Sequence, residues 1–487
     1  MVNDFISSQN IKEKGDTSED PKDQIPNSEI LDETEELGDY SRECIVGMSQ
    51  YSTLTKGFKG KIKAYPSDFI VQEISETEEI LPLNYNENEI PFGFEAENKV
   101  DFTKFILKKV GIDTLMAAGI MANYLNIPLR NVTWAGIKDG RAITSQYFCV
   151  KGNHYSVLKQ FQHPNINLYR FRPSKKPIGI GVLWGNYFQI KIKHLESPIS
   201  QLKPLIIEWS EHIKKIGAPN YYGLQRFGYY RPNSHLIGKY IFQKDYEKAI
   251  EELLFRAYPY EDADMMKIRE KLSITRDYAN LKNKFHPKMQ YERMLCEYLE
   301  NHPTDYKNAF LCLPFPFRNL LLSSFQSYLF NMAVSKRIER GLPIHFPVEG
   351  DILGILKSIN GPPSNVRYIY TESEKQKLDA ALSIGRANIL APILGSDSNL
   401  EEYGVFKQIY EEILKKEEIG PEIFQITDFK AGSFRGTYRS ICIKLSDLQI
   451  NFHEDINCPE NEYVELKFKL PKGSYATVVL RELLKIR

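Results

Sequence analysis

The chain has 487 residues, of which 42% are hydrophobic and 26% are charged, and its 63 basic and 63 acidic side chains balance. This length exceeds one ordinary hydrophobic core and predicts two domains, or one domain with a large insertion. No apolar run reaches the roughly 20 residues of a transmembrane helix, and the six cysteines form no CxxC pair. We therefore expect a cytoplasmic protein with no membrane span, secretory leader, zinc cluster or disulfide framework.

The start of the chain differs in composition from the rest. Residues 1–40 contain 12 acidic and 3 basic side chains, which leaves 51 acidic and 60 basic side chains in the remaining body. A polar, acidic segment with few aromatic residues buries too little apolar surface to fold, so we expect residues 1–45 to be a disordered tail. The body carries a formal charge of +9, which permits a polyanionic partner without requiring one.

Strand and helix signals alternate along the first half of the body. Period-2 alternation with turn residues predicts strands, and apolar residues at helical spacing predict a helix. The predicted elements are a strand from Phe69, a helix over 114–125 that starts at Asp113 and Thr114, strands over 131–137 and 142–150, and a hairpin over 177–193 that turns at Gly185 and Asn186.

The middle of the chain is predicted to be helical. Periods near 3.6 cover residues 245–258 and 318–341, and a capping box of Thr371 and Glu374 predicts a further helix. Strand patterns return over 433–452 and 463–470, before a glycine loop and a closing helix. The fold class is therefore α+β. The simplest organisation is one catalytic domain, residues 46–246 and 429–487, interrupted by an insertion over 247–428.

The stretch "TWAGIKDGRAITSQYFCV" places Asp139 and a glycine between two predicted strands. One interpretation is structural, because Asp-Gly is a common hairpin turn. The other is chemical, because Lys138, Arg141, Thr144 and Gln146 bring several hydrogen-bonding groups to the same loop. A carboxylate in such a setting can act as a nucleophile or a base.

The stretch "NYYGLQRFG", residues 220–228, combines amide, aromatic and guanidinium groups. Amides such as Asn220 and Gln225 read base edges, aromatic rings such as Tyr222 stack on bases, and Arg226 can hold phosphate. The alternative is a loop whose aromatic rings fill a core. Tyr475, in "KGSYATVVLRE", has the same two interpretations, with the preceding glycine and serine as a turn and helix entry.

Several ordered stretches of the chain together resemble the TruD family of pseudouridine synthases. The resemblance covers about residues 57–487. Its carriers are "KAYPSDFIVQE" at 63–73, "AGIKDGRAITSQ" at 135–146, "LWGNYF" at 183–188, "NYYGLQRFG" at 220–228, "FQSYLFN" at 325–331 and "LPKGSYATVVLRE" at 470–482.

The resemblance implies both a fold and an activity. The fold is a pseudouridine synthase core with a mixed, mainly antiparallel sheet, flanking helices and permuted strand order, interrupted by a helix-rich TruD insertion domain. The activity is the isomerisation of a uridine in tRNA, at uridine 13 in the D arm, or at uridine 35 or in other RNAs for some relatives. This reaction requires no cofactor and no metal. The partner is tRNA, with no obligate protein partner and no membrane.

The resemblance also implies roles for individual residues. Asp139, within the motif that continues through Ala142, Thr144 and Gln146, matches the nucleophile or base, and Lys63 matches its basic partner. The predicted substrate contacts are Phe69, Lys138, Asn220, Tyr222, Gln225, Arg226 and Tyr475. Tyr222 and Tyr475 stand where bacterial members often carry phenylalanine.

Two other functions compete with this interpretation. A non-catalytic RNA-binding protein or RNA chaperone on the same fold needs the basic surface and the aromatic rings, but it does not need Asp139. A metal-dependent nuclease or phosphotransferase needs clustered carboxylates, and the dispersal of the acidic residues disfavours it. The sequence contains no HExxH pattern and no GxxxxGK[ST] or GxGxxG phosphate loop.

Overall fold

The computed structural model describes residues 40–84, 100–425, 434–455, 458 and 461–485. The mixed α+β class predicted from the sequence is confirmed. In these ranges, no helix combines the length and the apolar character that a membrane span requires.

The helices are α1 Tyr40–Ile45, α2 Thr114–Tyr124, α3 Tyr155–Leu158, α4 Ile199–Ile216, α5 Ser234–Phe242, α6 Tyr246–Ile250, α7 Ala263–Thr275, α8 Tyr278–Leu281, α9 Gln290–Asn301, α10 Tyr306–Cys312, α11 Phe315–Glu339, α12 Lys375–Ser383, α13 Phe406–Lys416 and α14 Ala476–Leu484. The strands are β1 Phe69–Ile74, β2 Phe102–Val110, β3 Val132–Trp134, β4 Ile143–Lys151, β5 Ile166–Ser174, β6 Gly185–Ile192, β7 Ala218–Pro219, β8 Ile352–Leu356, β9 Pro363–Ile369, β10 Ala387–Ile393, β11 Thr437–Ser440, β12 Cys442–Ile443, β13 Ser446–His453 and β14 Tyr463–Pro471.

The main sheet contains eight strands in the order β13-β14-β6-β1-β4-β2-β5, with β3 paired to β4. All its pairs are antiparallel except β1 and β4, which are parallel, with Ile70 opposite Ile143. Two adjacent parallel strands begin at the same edge of a sheet. The chain segments that enter β1 and β4 therefore lie side by side, and this juxtaposition positions the site described below.

A second, antiparallel sheet in the order β11-β10-β8-β9 lies in the later part of the chain. Three of its strands fall inside the region 247–428 that the sequence predicted to be helical, and the helices α11 and α12 pack against β10. The fourth, β11, follows that region, and the next strand, β12, pairs with β7. The predicted boundaries of the insertion stay a prediction.

The hairpin predicted over 177–193 is wrong. Gly185 begins the single strand β6, which pairs along its length with β1 on one side and β14 on the other. The glycine is needed for close packing and not for a turn, since a Cβ there would lie 2.0 Å from the backbone oxygen of Leu470. Glycine in a strand commonly marks such a close backbone approach.

The predicted capping box of Thr371 is also wrong, because α12 begins later, with Glu374 as its N-cap residue. The Thr371 hydroxyl is instead 3.0 Å from the hydroxyl of Ser373. By contrast, the start of α2 is confirmed, since Asp113 accepts a 2.8 Å hydrogen bond from the backbone nitrogen of Met116.

The predicted disordered tail lies largely outside the described residues. Its last part, Tyr40–Ile45, forms α1, so the predicted boundary at residue 45 is wrong. The cause is a buried ion pair, because Glu43 accepts a 2.5 Å hydrogen bond from Nε of Arg481 in the closing helix. An ion pair across the fold anchors a segment that composition alone marked as polar.

Candidate active site

Asp139 lies in the loop of residues 135–142 that joins β3 to β4. β3 pairs with residues 148–150, near the far end of β4, so the loop runs back along β4 and does not form a two-residue turn. Gly140 allows this path, because a Cβ there would lie 3.3 Å from the backbone nitrogen of Asp113. The structural interpretation of Asp139 as one half of a tight hairpin turn therefore does not hold.

Lys63, in the segment that leads into β1, forms an ion pair with the carboxylate of Asp139. Its Nζ lies 2.5 Å from Oδ2 of Asp139, and the Lys63 side chain is 2% exposed whereas that of Asp139 is 38% exposed. Lys63 precedes β1 and Asp139 precedes β4, so the parallel pairing of these strands brings the two residues together. The backbone of Lys63 has a φ of 57°, a left-handed conformation of the strained kind that often occurs at functional sites.

The charges around Asp139 favour its ionised form. Burial by itself raises the pKa of Asp139. The charge and hydrogen bond of Lys63, the backbone N–H of Arg141 and the charge of Lys109 act in the opposite direction, and the pKa lies below its ordinary value. Asp139 is therefore an ionised carboxylate with access to solvent, which is the form required of a nucleophile or a base.

Lys138 points away from the exposed side of the loop. Its Nζ lies 2.9 Å from Oε2 of Glu73, and the two side chains are 4% and 1% exposed. The other carboxylate oxygen of Glu73 accepts a 3.2 Å hydrogen bond from the backbone of Tyr147. The prediction that the Lys138 side chain contacts the substrate is therefore corrected, because its ammonium group is buried and paired with Glu73. Lys138 instead anchors the loop to β1.

Lys109 also supports the loop, although the sequence analysis assigned it no role. Its buried Nζ donates to the backbone oxygens of Asp139, at 2.8 Å, and Ile112, at 2.6 Å. Burial lowers the pKa of Lys109 to about 8, against the opposing charges of Asp139 and Asp113. The alternation of β2 places Lys109 on the same buried face as the apolar residues of that strand, and this signal identifies it as a buried lysine.

Gln146, which the sequence motif included, lies beneath the loop. Its Nε2 donates to the backbone oxygen of Gly136 at 2.9 Å, and its Oε1 accepts from the Thr114 hydroxyl at 3.0 Å. The same hydroxyl accepts a 2.8 Å hydrogen bond from the backbone of Lys138. Polar side chains from β4 and α2 therefore fix the path of the loop just before Asp139.

Phe69 lies behind the ion pair. Its ring is buried and packs edge-on against Phe188, with centroids 6.2 Å apart. Nζ of Lys63 lies 4.6 Å from the centroid of the Phe69 ring, within the range of a cation–π contact. Phe69 thus helps to position Lys63, and its contact with a base stays a prediction.

Asn220, Tyr222 and Tyr475 form a second cluster around Arg439. The Arg439 guanidinium donates to the backbone oxygen of Asn220 at 3.0 Å and to its Oδ1 at 2.8 Å. It also lies 4.1 Å from the centroid of the Tyr222 ring, whose edge faces Tyr475 at 6.4 Å. The Asn220 amide donates in turn to the backbone oxygen of Ser440 at 2.8 Å. Half of the hydrogen-bonding capacity of this amide is therefore used within the protein.

Arg439 is a residue that sequence reasoning missed. It lies on β11 of the second sheet, and the pairing of β12 with β7 brings it against residues 218–222. No local pattern marks it, because its contacts depend on two segments more than 200 residues apart, as the separation of 219 between Arg439 and Asn220 shows.

Arg226 and Gln225 differ in their surroundings. The Arg226 guanidinium donates to the hydroxyls of Ser323, at 2.6 Å, and Ser327, at 3.3 Å, both on α11. Gln225 is exposed, and its Oε1 accepts from the Thr477 hydroxyl at 3.4 Å. The structure thus leaves Gln225 accessible to a ligand and uses part of Arg226 to hold the motif against α11.

Asn331, the last residue of the "FQSYLFN" stretch, fixes the backbone of Tyr222. Its Oδ1 accepts from the Tyr222 nitrogen at 2.8 Å, and its Nδ2 donates to the Tyr222 oxygen at 2.9 Å. This reciprocal pair replaces the backbone hydrogen bonds that a strand would supply. The long helix α11 therefore sets the position of the second cluster.

Lys472 connects the second cluster to the loop that carries Asp139. Its Nζ donates to the backbone oxygen of Gly181 at 2.5 Å, and the nitrogen of Gly181 donates to the oxygen of Ala135 at 2.6 Å. Ala135 lies four residues before Asp139, a chain distance of at most about 14 Å. These hydrogen bonds therefore link the turn before Tyr475 to the start of the loop that carries Asp139. In the described part of the chain, no group of three or more His, Cys, Asp and Glu side chains could hold a metal ion.

The chain is similar to several known proteins over most of its length. The family model described as "TruD: tRNA pseudouridine synthase D (TruD)" matches residues 45–483. The protein named "Probable tRNA pseudouridine synthase D" of Methanosarcina mazei is 30% identical over 442 residues, covering 91% of this chain and 97% of that protein. The protein of the same name from Pyrococcus abyssi is 33% identical over 438 residues, covering 90% and 98%. The crystal structure titled "Putative tRNA pseudouridine synthase D (TruD)" from Methanosarcina mazei superimposes with a TM-score of 0.73 at 29% identity, covering 92% of this chain and 98% of that one.

Proposed function

The chain belongs to the TruD family of tRNA pseudouridine synthases, and we propose that it isomerises one uridine of tRNA through the carboxylate of Asp139. The observation that carries the proposal is the ion pair of Lys63 and Asp139, which joins a buried cation to an accessible carboxylate at 2.5 Å. We propose the D arm, at uridine 13, as the position that is modified, and the cytoplasm as the location.

The reaction breaks the glycosidic bond, turns the uracil and joins carbon 5 of the base to the sugar. Product and substrate have the same composition, so the bonds balance without an added reactant. Asp139 serves this reaction either by attack on the sugar or by removal of the 2′ proton, and both routes need the carboxylate rather than the acid. Lys63 favours that form, because its positive charge lowers the pKa of Asp139.

The target uridine must be turned out of the base stack of the RNA before it can react. Turning a base out of folded RNA costs a few kcal/mol. Stacking on an aromatic ring returns about 1–3 kcal/mol per base. Tyr222 and Tyr475 are half-buried aromatic residues in the second cluster, and in this proposal they supply that stacking surface. The Asn220 amide has hydrogen-bonding positions without a partner among the described residues, and in this proposal they and the exposed Gln225 bind base edges.

Position-resolved mapping of pseudouridine tests the function and the position together. Unmodified tRNA transcripts are incubated with the protein, and every uridine is then examined by chemical labelling and primer extension. We expect conversion at a single uridine of the D arm. Conversion at a different uridine would contradict the proposed position only. The absence of any conversion, with RNA binding intact, would contradict the proposed function and favour a non-catalytic RNA-binding protein.

A further inference from the structure

A cavity lies beside the second cluster, between the second sheet and the turn that follows β14. Its volume is about 330 Å³, within the range of small-ligand sites. Asn220 and Tyr222 line one wall, and residues of β10 and β11 line another. Lys63, Phe69, Lys138 and Asp139 do not belong to the described residues that line it. We refer to this space as the sheet cavity.

The lining of the sheet cavity is positively charged. Arg439, Lys444 and Lys472 contribute to it, and none of the described lining residues is Asp or Glu. Burial lowers the pKa of His345, another lining residue, and the charges of Lys444 and Lys215 lower it further. Charges of one sign around a confined space concentrate ligands of the opposite sign.

The sheet cavity also presents groups that can form hydrogen bonds. Asn220, Asn360 and Asn388 contribute side-chain amides to the lining. Ser440 is 8% exposed, and its hydroxyl has no hydrogen-bond partner among the described residues. A buried hydroxyl without a partner costs free energy, so a ligand that satisfies it gains affinity. This unpartnered group is independent of the charge and also indicates a polar ligand.

The walls of the cavity are held together across the two sheets. The Trp184 indole, immediately before β6 of the main sheet, donates to the Ser358 hydroxyl at 2.7 Å. Gly361 allows this contact, because a Cβ there would lie 2.4 Å from that hydroxyl and 3.0 Å from the indole nitrogen. The cavity is therefore part of the folded structure and does not depend on a ligand for its shape.

We propose that the sheet cavity binds one nucleotide of the RNA strand that carries the target uridine, at a position within two nucleotides of that uridine. Its cations bind the phosphate, and the amides of Asn360 and Asn388 and the hydroxyl of Ser440 bind the base edge. This inference rests on the proposed function, since it takes tRNA as the substrate.

The position of the cavity favours a neighbouring nucleotide over the target itself. Lys472 lines the cavity and is connected through Gly181 to Ala135, at the start of the loop that carries Asp139. The reacting sugar must lie at Asp139 and, in the proposed function, its base at Tyr222 and Asn220. These two residues form only one edge of the cavity, so the rest of the lining, with Arg439 and Lys444, is left for an adjacent nucleotide. A strand that places one nucleotide at Asp139 therefore passes the cavity with an adjacent one, and the cavity contributes to the choice of the uridine.

The test combines two variants with modified substrates. Ser440→Ala removes the unpartnered hydroxyl, and Lys444→Met removes a cation of the cavity wall. Pseudouridine formation is measured with unmodified tRNA and with tRNAs that carry an abasic site at each of the two positions on either side of the target. We expect Ser440→Ala to raise KM about threefold to tenfold, the value of one hydrogen bond, and to leave kcat unchanged. We expect Lys444→Met to raise KM and to weaken its dependence on salt.

One abasic position should raise KM for the wild type, and the Ser440→Ala variant should show no additional loss with that substrate. Thr55→Val is the matched control, because Thr55 also has a buried hydroxyl without a described partner and does not line the cavity. We expect this control to keep the wild-type KM.

Several results would overturn the proposal. The first is an unchanged KM for both variants. The second is an effect of Ser440→Ala on KM that multiplies with the effect of the abasic site at every position. If free nucleoside monophosphates inhibit the reaction while no abasic position changes KM, the cavity binds a small effector, and the proposal is rejected. Failure of the proposed function gives a different result, since the wild type would then form no pseudouridine while anisotropy still reports binding of the same tRNAs.

Discussion

Replacing Lys138 by Met tests whether this residue anchors the loop that carries Asp139 or contacts RNA. The 2.9 Å ion pair of Lys138 and Glu73 is almost completely buried. Removing one partner of a buried pair leaves the other charge uncompensated and typically costs about 3–5 kcal/mol. We expect Lys138→Met to lower the free energy of unfolding by about 3 kcal/mol, the lower end of this range, because Met retains the apolar contacts of the lysine chain.

The assay is urea unfolding at neutral pH, followed by fluorescence and circular dichroism so that a non-cooperative transition is recognised. The double variant Lys138→Met with Glu73→Gln should lose much less free energy of unfolding than the sum of the losses of the two single variants, because it leaves no unpaired buried charge. Gln at position 73 keeps an oxygen for the backbone N–H of Tyr147, so this second contact is preserved.

Lys407→Met is the matched surface control, because Lys407 also forms a short ion pair, 2.6 Å from Glu401, but in an exposed position. Exposed pairs contribute little to stability, so the control should unfold like the wild type. The reasoning is refuted if Lys138→Met unfolds like this control while its affinity for tRNA falls. That combination would restore Lys138 as a substrate contact.

Three further predictions follow from the charges and rings of the site. Lys63→Met should move the acid limb of the pH profile of kcat/KM to higher pH, because the pKa of Asp139 rises when the cation that lowers it is lost; an unchanged profile would remove Lys63 from the site. Burial lowers the pKa of Lys109 to about 8, so above that pH the unfolded chain binds more protons than the folded one. The free energy of unfolding of the wild type, measured in urea relative to Lys109→Met, should therefore rise between pH 8 and 10. A difference that stays constant over this range would contradict the lowered pKa. Tyr222→Phe and Tyr475→Phe should keep most of the activity whereas the Ala variants should not, as measured by single-turnover kinetics, and a Phe variant as defective as its Ala counterpart would assign the function to the hydroxyl.

Local patterns in the sequence predicted the elements around Asp139 but not how they meet. The alternation after the Pro-Ser-Asp turn predicted β1, and the Asp113 cap predicted α2. No local signal states that β1 and β4 are parallel neighbours, yet this pairing brings Lys63 to Asp139. The ion pair was reached through the family resemblance, which supplies the pairing that periodicity lacks.

Errors arose where one residue type serves two purposes. Glycine marks both turns and close packing, and at Gly185 the close approach to Leu470 decides its role. Lysine is common at solvent and at RNA, but Lys138 has a buried carboxylate within reach. Arg439 could not be found at all from local sequence, because its partner Asn220 lies on a distant segment. These distinctions depend on tertiary contacts, and composition and spacing do not contain them.

The most direct test of the central claim is pseudouridine formation by Asp139→Asn, measured beside Asp113→Asn on the same tRNA. Asp113 is a nearby, exposed carboxylate whose role as a helix cap is retained by asparagine, so it controls for the loss of one negative charge close to the loop. The account predicts that Asp139→Asn binds tRNA with wild-type affinity and forms no pseudouridine, while Asp113→Asn forms it normally. Turnover by Asp139→Asn at a rate comparable to the wild type would contradict the account, because the amide cannot act as the nucleophile or the base.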